Sequence, residues 1–142
     1  MPYPDLLVAP MRNELVQLGF QELQSKEDVD EALSDSSSPV LVVVNSVCGC
    51  AAGNMRPAVA LSLQVEEGPK PSRLATVFAG QDLEATSRAR EFFTGYPPSS
   101  PSIALLKDGE LVWMLERHQI EGRGPGVIAE DLLAAYKEHC AA

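Results

Sequence analysis

The chain has few cysteines, few positive charges and no long hydrophobic run, and each shortage excludes something. Three cysteines among 142 residues leave one over after any pairing, so a disulfide framework of the secreted kind is not expected. Lys and Arg number 11 against 20 Asp and Glu, for a net charge of −9. Nucleic acid is therefore excluded as a partner, because a binder needs clustered basic residues to displace counterions. Anionic membrane surfaces are excluded on the same ground. The longest apolar run, residues 40–44, is far too short to span a bilayer. The first ten residues carry no basic stretch ahead of an apolar run, so no targeting segment is read there and the cytoplasm is the expected compartment. Thiols in that compartment are mostly kept reduced.

What is present reads as one globular domain over residues 1–142. Apolar content is 45 % and charged content 22 %, both ordinary for a protein with a proper core. Helical spacing of Met11, Leu15 and Leu18 predicts a short helix over 10–18, stopped by Gly19. Residues 20–23 suit a short strand. Ser25 is a helix cap, with Glu27 and Asp28 at the positive end of the dipole and Val29, Ala32 and Leu33 as the apolar face. Residues 35–39 form a turn. The β-branched run 40–44 predicts a central strand covered on both faces.

Residues 48–54 read as a loop of small side chains, followed by a helix with Ala58, Leu61, Leu63 and Val65 on its face. Pro57 either opens that helix or kinks it near its start. Residues 66–72 break it. A second buried strand is expected over 74–79, and a helix over 82–93 with Leu83, Ala89, Phe92 and Phe93 turned inward. A rigid loop, 96–101, precedes strands 102–106 and 110–115, joined at Lys107-Asp-Gly109, a hairpin signal. A flexible link, 122–126, leads to a final amphipathic helix, 127–140. Alternating strands and helices imply an α/β fold: a mixed central sheet with a parallel core, a C-terminal antiparallel hairpin and helices on both faces.

The chemistry concentrates in Cys48-Gly49-Cys50. This pair leaves the carboxyl end of the central strand, where open α/β sheets gather their functional groups. A helix start stabilises negative charge and lowers a thiol pKa. One thiolate attacks a disulfide and its neighbour resolves the product. Cα atoms two residues apart lie at roughly 5.5–7 Å and an unstrained disulfide spans about 4.4–6.8 Å, so closure is feasible but tight. Gly49 relieves the backbone there. A strained bond is easily reduced, which predicts an oxidising or disulfide-shuffling poise.

Three other readings stay open on these residues alone. The pair can be two packed small side chains. It can be half of a zinc or copper(I) site, although His118, His139 and Cys140 show no ligand spacing. It can be a redox gate on a binding surface. Cys140 falls on the apolar stripe of Ala129, Leu132, Leu133 and Tyr136 and reads as core. His118 and His139, the acidic run 27–31, Trp113 and Phe92-Phe93 read as ordinary surface or core.

Two strings carry a resemblance. Pro101-Ser-Ile-Ala-Leu-Leu-Lys-Asp-Gly-Glu-Leu-Val112 resembles the proline-led strand and hairpin of thioredoxin-like proteins. Asn45-Ser-Val-Cys-Gly-Cys-Ala-Ala-Gly-Asn54 with Arg56-Pro57 is similar to the active-site signature of the bacilliredoxins. Tyr3-Pro-Asp-Leu-Leu-Val-Ala-Pro-Met-Arg12, Ala79-Gly-Gln-Asp82, Gly95-Tyr-Pro-Pro-Ser-Ser-Pro-Ser102 and His118-Gln-Ile-Glu-Gly-Arg123 fit the same family, so the likeness covers nearly the whole chain. Met55 departs from it, where a smaller residue is expected.

The resemblance implies a thioredoxin-like fold and thiol–disulfide exchange. Bacillithiol or a similar small thiol would be removed from mixed disulfides on protein cysteines, with some disulfide isomerase activity. It implies Cys48 as nucleophile, Cys50 as resolving thiol and a cis Ser100–Pro101 bond beside Cys48. Gly49, Ser100, Pro101 and Arg56 would line the substrate groove, with Arg56 drawing the carboxylates of the small thiol. Pro101 would keep metals off the sulfurs, and Ser46 and Asn54 would orient the loop. No cofactor and no metal are expected. The partners are protein mixed disulfides and a low-molecular-weight thiol as co-substrate.

Overall fold

The computed structural model describes residues 3–34 and 38–141. Five strands, β1 Gln21–Glu22, β2 Val40–Asn45, β3 Arg73–Phe78, β4 Ser102–Lys107 and β5 Glu110–Leu115, form one sheet. Their spatial order is β1-β3-β2-β4-β5. Strand β2 lies parallel to β3 and antiparallel to β4, and β4 pairs antiparallel with β5. The mixed sheet with a parallel core and a closing hairpin is the architecture expected from the element order.

All six residues of β2 are buried. Its side chains alternate between two cores, as a strand's period of two requires. Leu41 and Val43 join Leu15 of α1 (Asp5–Val16), Val59 of α3 (Arg56–Gln64), and Ile128 and Leu132 of α6 (Pro125–His139). Val40, Val42 and Val44 join Val29 and Leu33 of α2 (Lys26–Leu33) and Ala85 and Ala89 of α4 (Leu83–Glu91). Each such side chain contributes roughly 1.5–3 kcal/mol on burial. The strand that carries the thiols is thereby anchored on both faces. Ser25 caps α2 as expected, its hydroxyl accepting the Asp28 N–H at 3.1 Å. In the hairpin, Asp108 and Gly109 have φ of 57° and 77°, the left-handed pair that a two-residue turn uses.

Several expectations need correction. Helix α1 begins at Asp5, so Pro10 lies inside it rather than at its start. A proline there removes one helical hydrogen bond, and the turn ahead of it still forms. In α3 the inner face is Arg56, Ala58, Val59 and Ser62, whereas Leu61 and Val65 are exposed. In α4 Leu83 is exposed, and Ala85, Thr86 and Ala89 face inward. A one-turn helix, α5 (Arg117–Ile120), was not expected between β5 and α6. It rests on a reciprocal pair of side-chain-to-backbone bonds between Glu116 and Gln119. Of the turn expected over 35–39, residues 35–37 lie outside the described residues. No helix among the described residues is long and apolar enough to cross a membrane.

The segment read as a small-residue loop is helical. Residues 49–64 form one continuous helical run with a wide π turn, Ala51–Met55, near its start. The Arg56 N–H reaches back five residues to the Ala51 carbonyl. Pro57 follows directly and has no N–H to contribute, so the widened turn absorbs the irregularity that a proline imposes. Met55, the departure from the family string, is fully buried in the core beside Ala58 and Val59.

Candidate active site

The site is built outward from the end of β2. Asn45 is 1 % exposed. Its amide donates to the Met11 carbonyl at 3.1 Å, and its oxygen accepts the Ser46 N–H at 2.9 Å. The Arg56 guanidinium donates to the same oxygen at 2.9 Å and to the Ser46 carbonyl at 3.1 Å. Its Nε lies 3.2 Å from Glu14 as an ion pair without good hydrogen-bond geometry. This knot ties α1, β2 and α3 together beneath the thiols. A buried charge is tolerated only when held in this way.

Arg56 therefore does not line a groove. It is 3 % exposed, its Nη1 is bonded to Asn45 and the Ser46 carbonyl, and its Nε lies against Glu14. It holds the floor of the site.

Above that floor the chain turns into the helical run. The Ser46 hydroxyl accepts the Cys48 N–H at 3.1 Å. The Cys48 carbonyl accepts the N–H groups of Ala51 and Ala52 at 3.1 and 3.3 Å, which opens the first turn. Both thiols are free and half-buried, with their sulfurs 2.9 Å apart. Gly49 between them is exposed, and a Cβ there would meet nothing within 4 Å. In this reduced geometry glycine is not demanded by crowding; it leaves the approach to the sulfurs open.

The two thiols are electrostatically unlike. Burial works against ionisation of Cys48, but the Cys50 thiol, the Ala51 N–H, the Ser46 hydroxyl and the Cys50 N–H outweigh it and hold the pKa below the ordinary thiol value. Burial pushes the Cys50 thiol up, and its hydrogen bond to Cys48 and the charge on that sulfur push it further, against the pull of Arg117. The two environments thus favour ionisation at Cys48 over ionisation at Cys50.

The remaining site groups come from distant segments. Ser100–Pro101 is a cis peptide bond. Ser102 pairs with Val44 across β2 and β4, so the cis bond stands at the carboxyl end of the strand that delivers Cys48. Pro101 is buried and Ser100 half-buried. Arg117 of α5 donates its N–H to the Ser99 hydroxyl at 3.4 Å and its Nη1 to the Ser100 carbonyl at 3.2 Å. Its Nε pairs with the Glu121 carboxylate. That carboxylate also accepts from the Cys50 thiol at 3.8 Å. Pairing with Arg117 holds Glu121 below the usual carboxylate range. Asn54 ties this corner to the thiol helix, its amide donating to the carbonyls of Ile120 at 3.2 Å and Arg123 at 2.6 Å.

Arg117 and Glu121 were missed as site residues. They open and close a short helix that no periodicity announces; Glu121 falls in the string from His118 to Arg123, and Arg117 lies just outside it. His118 is itself 74 % exposed and turned to Glu116. Cys140 is half-buried at the edge of the core, where burial pushes its thiol up. Among the described residues no group of three or more His, Cys, Asp or Glu is gathered as a metal site would require.

Comparison with known proteins shows the family and the fold. Residues 3–140 match the family described as Disulphide isomerase. The chain is 53 % identical over 141 residues to a bacilliredoxin of Salinibacter ruber, covering 99 % of this chain and 82 % of that one. It is 49 % identical over 140 residues to a bacilliredoxin of Koribacter versatilis, covering 99 % and 95 % of the two chains. Against a bacilliredoxin of Bacillus cereus the identity is 53 % over 134 residues, covering 94 % and 91 %. Among solved structures, thioredoxin of Malassezia sympodialis aligns with a TM-score of 0.56 at 15 % identity, covering 86 % and 91 %. Thioredoxin of Fasciola hepatica aligns at 0.55 and 15 %, covering 83 % and 100 %. These last two show the fold alone. The chain belongs to the bacilliredoxin family, thiol–disulfide oxidoreductases built on the thioredoxin fold.

Proposed function

We propose that this protein strips a small thiol, bacillithiol or one of similar chemistry, from mixed disulfides on protein cysteines. The observation that carries the reading is the pair of half-buried sulfurs 2.9 Å apart, one acidified and the other kept protonated. The Cys48 thiolate attacks the small-thiol sulfur of the mixed disulfide. That S–S bond breaks, its electron pair leaves on the client cysteine, and a bond from Cys48 to the small thiol forms. Cys50 then attacks Cys48, the small thiol departs as thiolate, and the Cys48–Cys50 disulfide closes. A thiol or dithiol reductant returns the pair to its starting state with two electrons. The same capture chemistry, run on protein disulfides, gives isomerase activity.

Arg117 takes the part first assigned to Arg56. It is 45 % exposed, its charge acts on both sulfurs, and it is a suitable counter-ion for carboxylates on an incoming small thiol. Pro101 and Ser100 border the same approach. A reducing cytoplasm suits this chemistry, since the pair must be reset after each turnover.

Mass spectrometry after exposure to a small-thiol mixed disulfide tests the reading. Wild type ends as the internal disulfide. Cys50→Ala stops as the adduct on Cys48, and Cys48→Ser takes up no adduct. Full activity in both single variants would end the proposal.

A further inference from the structure

The chemistry above leaves one proton unassigned. Cys50 must lose it to become the resolving nucleophile, and burial of its thiol works against that loss. The buried polar groups among the described residues are Asn45, Ser46, Arg56, Ser62, Thr76, Thr86 and Ser102, with no carboxylate among them. No carboxylate among the described residues is therefore fully buried. The carboxylate that meets Cys50 comes from the side: Glu121 Oε1 stands 3.8 Å from Cys50 Sγ and accepts from it.

Three features make this contact a built one. Asn54, within the thiol helix, grips the carbonyls of Ile120 and Arg123 on either side of Glu121. Arg117 pairs with the same Glu121 oxygen that meets the sulfur and anchors on the Ser100 carbonyl. The Glu116–Gln119 bonds fix the short helix that carries Arg117. Glu121 is about half exposed, so a proton it receives has a path to water.

We propose that Glu121 is a catalytic residue of the resolution step, the acceptor of the Cys50 proton, with Arg117 as the positioning residue that keeps its carboxylate ionised and aimed. This rests on the exchange reading above. With the small thiol bonded to Cys48, Cys50 Sγ attacks Cys48 Sγ. The Cys50 S–H proton passes to Glu121 Oε1, the Cys48–Cys50 bond forms, and the bond to the small thiol breaks with its electron pair leaving on that thiol. Glu121 then gives the proton to solvent or to the departing thiolate. The captured thiol is reduced and the two protein sulfurs are oxidised, so no outside oxidant enters.

The sign of one substitution separates this role from a bystander charge. A carboxylate that acts only as a nearby negative charge disfavours the Cys50 thiolate. Removing it then raises the thiolate fraction and speeds resolution. A carboxylate that takes the proton gives the opposite sign, because a general base contributes roughly 10²–10⁴-fold in well-placed cases. At this half-exposed site, with the carboxylate acidified by Arg117, we expect less than that range, about 10-fold.

The experiment follows formation and decay of the Cys48 adduct by rapid quench and mass spectrometry, from pH 6 to 9, using a glutathione or bacillithiol mixed disulfide. Glu121→Gln is expected to resolve its adduct about 10-fold more slowly near neutral pH, with a profile that climbs towards alkaline pH as hydroxide replaces the lost base. Glu121→Asp, which keeps a shorter carboxylate, recovers part of the rate. Resolution in Glu121→Gln that equals or exceeds wild type across the pH range overturns the inference. So does a uniform slowing with an unchanged pH profile, which would mark a purely structural role. If wild type forms neither adduct nor internal disulfide, and Cys50→Ala forms no adduct, it is the exchange reading that fails, and the two failures are distinguished within one data set.

Discussion

Cys48 and Cys50 are separated by one glycine, yet their surroundings are assembled in opposite ways. The groups that acidify Cys48 are its chain neighbours, with Ser46 two residues before it and Ala51 three after. The side chains that meet Cys50 from outside the motif, Glu121 and Arg117, belong to another part of the chain, with Glu121 71 residues further on. In the proposed reaction, capture is thus encoded locally and resolution depends on tertiary packing. A short segment can specify an acidic thiol, because a helix start supplies oriented N–H groups wherever it occurs. Choosing the proton acceptor for its partner takes the whole fold.

That contrast is breakable in order of effect. The largest test removes the common floor. Arg56→Met strips a buried guanidinium from Asn45 and the Ser46 carbonyl, removing one of the two donors to the Asn45 oxygen and the side-chain donor to that carbonyl. A loss of about 2–4 kcal/mol in urea unfolding is expected, together with impairment of both steps. Stability within a few tenths of a kcal/mol of wild type would show that the knot is not what anchors the site.

A smaller test cuts only the distant half. Asn54→Ala releases the clamp on the Ile120 and Arg123 carbonyls. Resolution by Cys50 should slow by a few-fold in quench kinetics while the adduct on Cys48 still forms. Equal slowing of capture would erase the distinction between the two sulfurs.

The smallest test touches only the near half. Ser46→Ala removes a hydroxyl that favours the Cys48 thiolate. The depressed pKa means that wild type is ionised at lower pH than a free thiol. The variant's alkylation profile with iodoacetamide should therefore shift to higher pH, with no change in the rate at which Cys50 resolves a preformed adduct. A shift to lower pH would contradict the assignment.

Much of the fold was legible because its signals are local. The β-branched run at 40–44 could be covered on both faces only as a central strand, and Asp108-Gly109 could close a hairpin with two left-handed residues. The likeness to thioredoxin-like proteins carried the cis bond at Pro101, which spacing alone does not specify. Errors arose where a local signal was ambiguous. Small residues from Ala51 to Asn54 suit a loop and a helix alike, and the widened turn ahead of Pro57 settled it. Leu61 and Leu83 match a helical stripe, but apolar type does not fix which side of a helix meets the sheet. Arg56 was placed in the groove because it is close to the thiols along the chain. Closeness in sequence does not say whether a side chain turns out or in, and this one turns in.

By itself the sequence determined the central strand, the two sulfurs at its exit and the tendency of the first to ionise, because strand period, helix polarity and thiol chemistry act over a few residues. The tertiary structure alone decided what meets the second sulfur, that Arg56 is buried and that Arg117 is the outward cation. These are relations between segments far apart in the chain, and only packing, such as that of α5 against the thiol helix, brings them together.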